Sequence, residues 1–310
     1  MWAYVDYLDQ MEHKLKIENP INILVQRRGA IGDVIMTTGV VRELKRMYGT
    51  DANIDVATDC FEVYRNNPHV RDIIAVNGAD ARRYEVFINL DDAYEINPVN
   101  HYVDSYFYRA FGKTTLNQSV ELFPSQEDQR QVDQDLKDIG ANFIVVHMRN
   151  WHWGAKNIAL DVWFDVYAKL FEQTADLHIV CVGGNTDHYV DHPLFFDARD
   201  RYNSQQLKYL CDHAHAFVGI DSGPMQCAAA SKTHIVALLT HLKPERIVPH
   251  RRLNTNWNAT SIQTLEDCAG CNDRQARPVR QIVCEKGNYP CTNNFDAEAI
   301  ATAILNTLKE

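Results

Sequence analysis

The stretch Phe217-Val218-Gly219-Ile220-Asp221-Ser222-Gly223-Pro224-Met225-Gln226-Cys227-Ala228-Ala229-Ala230 constrains the fold of this chain more than any other. Its first four residues are an apolar, β-leaning run, Asp-Ser-Gly-Pro carries turn chemistry, and Met225 to Ala230 are small or helix-tolerant residues without a β-branch. The pattern predicts a strand, a tight turn and a helix start. Pro224 suits the first helical position, and Ser222 or Asp221 can cap the free backbone N–H groups there. Such an end attracts anions, so a phosphate or pyrophosphate is its natural guest. The competing reading of the stretch by itself is a capped helix with no ligand.

The same alternation recurs along the chain. Ile21 to Val25 reads as a strand, Gln26 to Asp33 as a glycine-containing loop, and Val34 to Met47 as a helix, the opening half of a β-α-β unit. Asn53 to Ala57, Asp72 to Val76 and Tyr84 to Leu90 follow as short strands. The pattern restarts at Phe143 to His147, with a helix near 161–173, a strand from His178 to Val182 ending in Gly183-Gly184, a helix from Ser204 to His213 and a strand from Thr233 to Leu239. Between the two arrays, Gln126 to Lys137 is polar and charged and predicts a border helix. Two β/α arrays imply two Rossmann-like lobes, each with a parallel sheet, facing a cleft beyond the strands' carboxyl ends. The first lobe spans 1–130, opening with an amphipathic helix over 1–19 on which Trp2, Tyr4, Tyr7, Leu8, Met11 and Leu15 share a stripe. The second spans 140–310 and closes with a helix over 296–308.

At 310 residues and 45% hydrophobic content the chain is long enough for two such domains. No run of about 18 apolar residues exists to span a membrane, and residues 1–20 are too polar for a signal peptide. The expected compartment is the cytoplasm, with peripheral membrane contact left open. A formal charge of −10 weighs against a large nucleic-acid footprint. Local basic spots remain at Arg27-Arg28, at 243–252 and at 274–280. Of eight cysteines, Cys268, Cys271, Cys284 and Cys291 fall late. Their opening C-x2-C is compatible with structural zinc, and disulfides are the alternative; a catalytic metal is not expected.

Three ordered stretches resemble glycosyltransferase family 9, the group that includes the lipopolysaccharide heptosyltransferases. They are Ile23-Leu24-Val25 through Arg28, Gly32-Asp33 and Thr37-Thr38; His147 to Trp163 with Lys156; and Asp221-Ser222-Gly223-Pro224-Met225. The similarity covers the chain from about residue 21 onward, and the late cysteine cluster is similar to one in many members. The resemblance implies a GT-B architecture with the nucleotide held mainly by the second lobe. It also implies an inverting, cofactor-free and metal-independent transfer of a sugar from a nucleoside diphosphate donor, ADP-heptose or another, to a hydroxyl of a lipopolysaccharide or surface glycan.

Carried onto this sequence, the resemblance makes Asp33, beside Gly32, the general base that takes the acceptor's proton; a helix-capping carboxylate is the bland alternative. Lys156, with Arg149 sharing the task, meets the donor's phosphates. Asp187 contacts the ribose, and Asp221, Ser222 and Gly223 form the phosphate turn. Gln226 stands where most members have His, which removes a proton-donating role and leaves hydrogen bonding. Asp91, Asp92 and Glu95, at a strand end, are candidates to hold acceptor hydroxyls. Trp151, His152 and Trp153 could stack on a base or sugar, or pack between lobes. Asp133-Gln134-Asp135 has metal-motif spacing but sits in the polar helix, as a solvated face.

Competing functions are glycosylation of hydroxylated bases in modified DNA, which the acidic charge disfavours, a non-catalytic nucleotide binder, and a dinucleotide-binding oxidoreductase. The last is opposed by the absence of Gly-x-Gly-x-x-Gly in the loop from Gln26 to Asp33. Sugar, nucleotide base, acceptor and oligomeric state are not encoded in any motif found.

Overall fold

The computed structural model describes residues 20–96, 100–114, 117–150, 154–250, 259–275 and 283–309. The helix expected over 1–19 and the aromatic triplet Trp151, His152 and Trp153 lie outside the described residues.

The first half opens with β1 (Ile21–Gln26), then α1 (Ile31–Met36) and α2 (Thr38–Tyr48). Where the sequence predicts one helix from Val34, two meet at Thr37. The Thr37 hydroxyl donates to the Val34 carbonyl at 2.7 Å and pairs with the Tyr64 hydroxyl at 2.9 Å. Tyr64 comes from a later element, so no local pattern announces the break. Strand β2 (Ala52–Ala57), the short helix α3 (Phe61–Tyr64), β3 (Asp72–Ile74) and β4 (Val86–Asn89) follow, and then α4 (Tyr102–Phe111). The strands form a parallel sheet in the order β3-β2-β1-β4.

The polar helix α5 (Gln126–Ile139) leads into the second half. Ser125 caps it, its hydroxyl accepting from the Asp128 amide at 3.1 Å, as a Ser three residues before an acid should. Then come β5 (Phe143–His147), α6 (Leu160–Phe171), β6 (His178–Cys181), β7 (Phe195–Asp197), α7 (Ser204–His213), β8 (Ala216–Ile220) and α8 (Gly223–Ala229). The chain continues through β9 (His234–Leu239), α9 (Pro244–Ile247), β10 (Ala259–Gln263), α10 (Cys271–Gln275) and α11 (Ala297–Thr307). This second sheet, also parallel, has the order β10-β9-β8-β5-β6-β7. Its central strands are buried along their whole length, which is why they read as unbroken apolar runs.

Asp133 and Asp135 of α5 are committed to the fold: Asp135 binds the Arg201 guanidinium and accepts from the Tyr202 hydroxyl at 2.7 Å, and Asp133 accepts from the Tyr209 hydroxyl at 3.1 Å. A single apolar cluster joins the two sheets, running from Ile23, Val34 and Ile35 through Met225, Cys227 and Ala228 to Phe217 and Leu239. A second cluster lies on the far face of the larger sheet under α6 and α11. Among the described residues no helix is long and apolar enough to cross a membrane.

Candidate active site

Strand ends of both sheets open onto one cavity of about 700 Å³. From the first half Gly32, Asp33, Tyr94 and Tyr102 line it; from the second half come His147, Arg149, Lys156, Asp187, Asp200, Asp221, Ser222, Gly223 and Gln226. Every residue singled out for catalysis or donor binding is therefore on this wall. Asp91, Asp92 and Glu95 are not among its lining residues.

Asp33 is in the first turn of α1, where its carboxylate accepts from the Ala30 amide at 3.0 Å. This is the capping reading, and it is only one of three contacts. The Arg27 guanidinium lies 3.0 Å away, and the Tyr94 hydroxyl donates to the other oxygen at 3.0 Å. Arg27 is buried and shared: it also reaches Glu95 at 2.8 Å and lies over the rings of Tyr94 and Tyr106. Burial alone would lower the Arg27 pKa, but Tyr106, Asp33 and Glu95 together raise it, so the cation is permanent. Glu95 thus sits behind Asp33, sharing its cation. Asp91 accepts from the Gln26 side chain at 2.7 Å and the Arg28 amide at 2.8 Å, tying β4 to the loop after β1. Asp92 takes a left-handed turn conformation at φ 56°.

Across the cavity Lys156 Nζ lies 2.6 Å from Asp221 Oδ2. Ser222 occupies the N-cap of α8, yet its side chain makes no cap bond. The hydroxyl points instead to the Ile220 carbonyl and to His147 Nδ1, each at 3.0 Å. His147 Nε2 faces Asp187 Oδ2 at 3.1 Å. The Asp187 carboxylate also accepts from the amides of Asn150 and Gly184, both at 2.8 Å. Burial works to raise the Asp187 pKa, and these hydrogen bonds lower it overall. Burial holds His147 below the usual histidine range, with Asp187 resisting. Arg149 is likewise lowered by burial, against the pull of Asp221 and Asp187.

Glycines make this packing feasible. Gly183 has φ +128°, and a Cβ there would fall 2.2 Å from Asp187 Oδ2 and 2.9 Å from His147 Nε2. Sequence reasoning gave His147 no role and named Arg27 only as part of a local basic spot, whereas the structure buries it against two carboxylates. The available signal was a polar side chain closing an apolar strand, His147 after Val146 and Arg27 after β1, since strand ends face the cleft.

The late cysteines meet behind Lys156. Cys268, Cys271, Cys284 and Cys291 line one small cavity with Ala155, His241 and Tyr289, and all eight cysteines of the chain are unbridged. Burial and the three neighbouring thiols push Cys291 up to about 12. Four thiols lining one pocket are the donor type that a structural zinc takes. Among the described residues, the three-residue groups whose ligand atoms lie within 4.8 Å of one another are two others, His101 with Asp104 and His250, and Glu266 with Asp267 and Cys268. The four thiols therefore stand wider apart than a closed metal site.

A family model described as glycosyltransferase family 9 (heptosyltransferase) matches residues 73–276. No curated protein sequence matches the chain. Among solved structures, a family 9 glycosyl transferase from Veillonella parvula is 16% identical over 96% of this chain and 98% of its own, with a TM-score of 0.72. The Escherichia coli ADP-heptose lipopolysaccharide heptosyltransferase II is 15% identical over 93% and 99%, at 0.67. The dodecameric iron-containing heptosyltransferase TibC, solved with ADP-D-beta-D-heptose and known from enterotoxigenic E. coli, is 14% identical over 95% and 79%, at 0.70. These likenesses establish the two-lobed GT-B fold.

Proposed function

This chain belongs to glycosyltransferase family 9, and on that premise we propose that it transfers a sugar, with inversion and without a catalytic metal, from a nucleoside diphosphate donor to an acceptor hydroxyl. The observation that carries the proposal is the meeting of Asp33 with Lys156, Arg149, Asp221 and Ser222 on the wall of one cavity. Donor binding falls to the half built from 140–310 and acceptor binding to the half built from 1–130.

In this reading Asp33 takes the acceptor proton as the oxygen attacks the anomeric carbon from the face opposite the leaving group. Arg27 and Tyr94 fix the carboxylate's direction, and Glu95 fixes Arg27. The negative charge that grows on the departing diphosphate is met by Lys156, Arg149 and the Ser222 hydroxyl, which do the work a divalent ion does elsewhere. ADP-heptose is the first donor to try, since one structural neighbour is an ADP-heptose lipopolysaccharide heptosyltransferase and another was solved with ADP-D-beta-D-heptose. A lipopolysaccharide or other surface glycan, met in the cytoplasm, is the first acceptor.

The four late cysteines would hold a structural ion only with their sulfurs drawn closer together than they stand here. Their cavity adjoins the turn that carries Lys156: the Thr240 hydroxyl donates to the Ala155 carbonyl at 2.5 Å, and Ala155 lines the cysteine pocket. An ion there would brace Lys156 and take no part in the transfer. The test of the function is incubation of the full chain with a panel of nucleotide sugars, reading donor cleavage and thermal shift. Donor turnover that disappears in Asp33→Asn supports the assignment; no stabilisation by any nucleotide sugar would remove it.

A further inference from the structure

Behind the Ser222 hydroxyl, His147 and Asp187 continue a chain that the transfer reaction, as derived above, does not use. Asp187 accepts two backbone N–H bonds and faces Nε2 of His147. A carboxylate in that position places the imidazole proton on Nε2 and leaves the Nδ1 lone pair aimed at Ser222 Oγ, 3.0 Å away. The Ser222 hydroxyl has one proton and two acceptors within 3.0 Å, Nδ1 and the Ile220 carbonyl. In the ligand-free protein that proton is spent inside the wall, and what Ser222 shows to the cavity is a lone pair. A phosphate oxygen needs a donor there.

We infer that His147 is a positioning residue whose Nδ1 takes up a proton when a diphosphate binds, so that the Ser222 hydroxyl is released to donate to phosphate. This rests on the reading of the cavity as a nucleotide-sugar site. The balance is simple. A solvent proton adds to Nδ1, Nδ1–H then donates to Ser222 Oγ, and Oγ–H swings from its internal acceptor to a phosphate oxygen; no bond to carbon or phosphorus changes.

The surroundings permit both states. Facing His147 are Asp187 from the loop after β6, Arg149 from its own strand's extension and Ser222 from the turn after β8, with Asp221 and Lys156 paired beyond it. Burial and Arg149 keep the ring neutral in the free protein, while Asp187 stands ready as the counter-ion of an imidazolium. The diphosphate supplies the missing negative charge on the other side. The glycines at 183 and 219 leave space for the ring, a Cβ on Gly219 falling 3.2 Å from the His147 Cβ.

The experiment is isothermal titration of the full chain with ADP-ribose, whose two esterified phosphates do not themselves titrate near neutrality, in buffers of different ionisation enthalpy. Wild type should take up close to one proton per site at slightly alkaline pH, and its Kd should rise by up to about tenfold per pH unit as pH increases. His147→Gln, whose amide can donate to Ser222 permanently, should bind without uptake and with a flat pH profile. Ser222→Ala removes the coupling while leaving His147 in place, and should bind more weakly, also without uptake. Wild-type binding with no proton uptake overturns the inference and leaves the proposed function standing, as does undiminished uptake in both variants. Failure of ADP-ribose and every nucleotide sugar in the panel to bind overturns both.

Discussion

Gly32 of α1 and Gly223 of α8 come close enough that a Cβ on Gly32 would lie 3.2 Å from the Gly223 Cα. The neighbour is backbone and cannot rotate away. Gly32→Ala should therefore cost about 1–3 kcal/mol by overpacking, seen as a lower urea midpoint. At Gly223 the obstacle is the Ile31 Cγ2 at 2.8 Å, so Gly223→Ala should be substantially rescued by Ile31→Ala, and Gly32→Ala should not.

Asp33→Asn keeps the size of the side chain and an acceptor for Tyr94 but cannot take a proton. Transfer should fall by about 10²–10⁴-fold in kcat with donor KM little changed. A variant that retained full turnover would transfer the role of base to another group.

Arg27 is buried between two carboxylates. Arg27→Met leaves Asp33 and Glu95 facing each other without a cation, and stability should drop by about 3–5 kcal/mol. Adding Glu95→Gln should recover part of that loss in chemical denaturation. If the double variant is no more stable than the single, the two carboxylates are not coupled through Arg27.

Lys156→Met removes the cation paired with Asp221 and facing the cavity. A charge-assisted contact to phosphate contributes about 1.5–3 kcal/mol, so donor KM should rise by roughly tenfold to a hundredfold. Steady-state kinetics with saturating acceptor would show it, and an unchanged KM would place the diphosphate elsewhere.

Acid should weaken the ligand-free fold through the same chain of residues. The folded pKa of His147 is lowered, so its contribution is present above the unfolded histidine value and is lost as pH falls below about 6.5. The folded pKa of Asp187 is lowered too, and that contribution is lost further down, as pH falls through the carboxylate range. Melting temperature followed from slightly alkaline to mildly acid pH should decline, and His147→Gln should flatten the upper part of the decline.

What could be read from the sequence was what short-range pattern encodes. α7 has its expected bounds, β5 matches its apolar run and β8 starts within one residue of its own, because buried parallel strands leave an uninterrupted signal. Three-residue β7 and the mixed Ala-Thr-Ser-Ile-Gln of β10 carry no such signal, and both are edge strands made by pairing with a neighbour. The site divides the same way. Asp33, Lys156 and the Asp221-Ser222-Gly223 turn announce themselves by motif. The partnership of Arg27 with Glu95 spans 68 positions, and that of His147 with Ser222 spans 75; only the closed fold brings them together. The expectation that Ser222 or Asp221 caps α8 fails at Ser222 for this reason, since His147 and the Ile220 carbonyl take its hydroxyl.

The apolar seam that joins both sheets also bears on how far the two halves can part. Prying the halves apart would wet Val34, Ile35, Met225 and Ala228 together, each large side chain at about 1.5–3 kcal/mol. Widening the gap at this seam therefore carries a hydrophobic penalty.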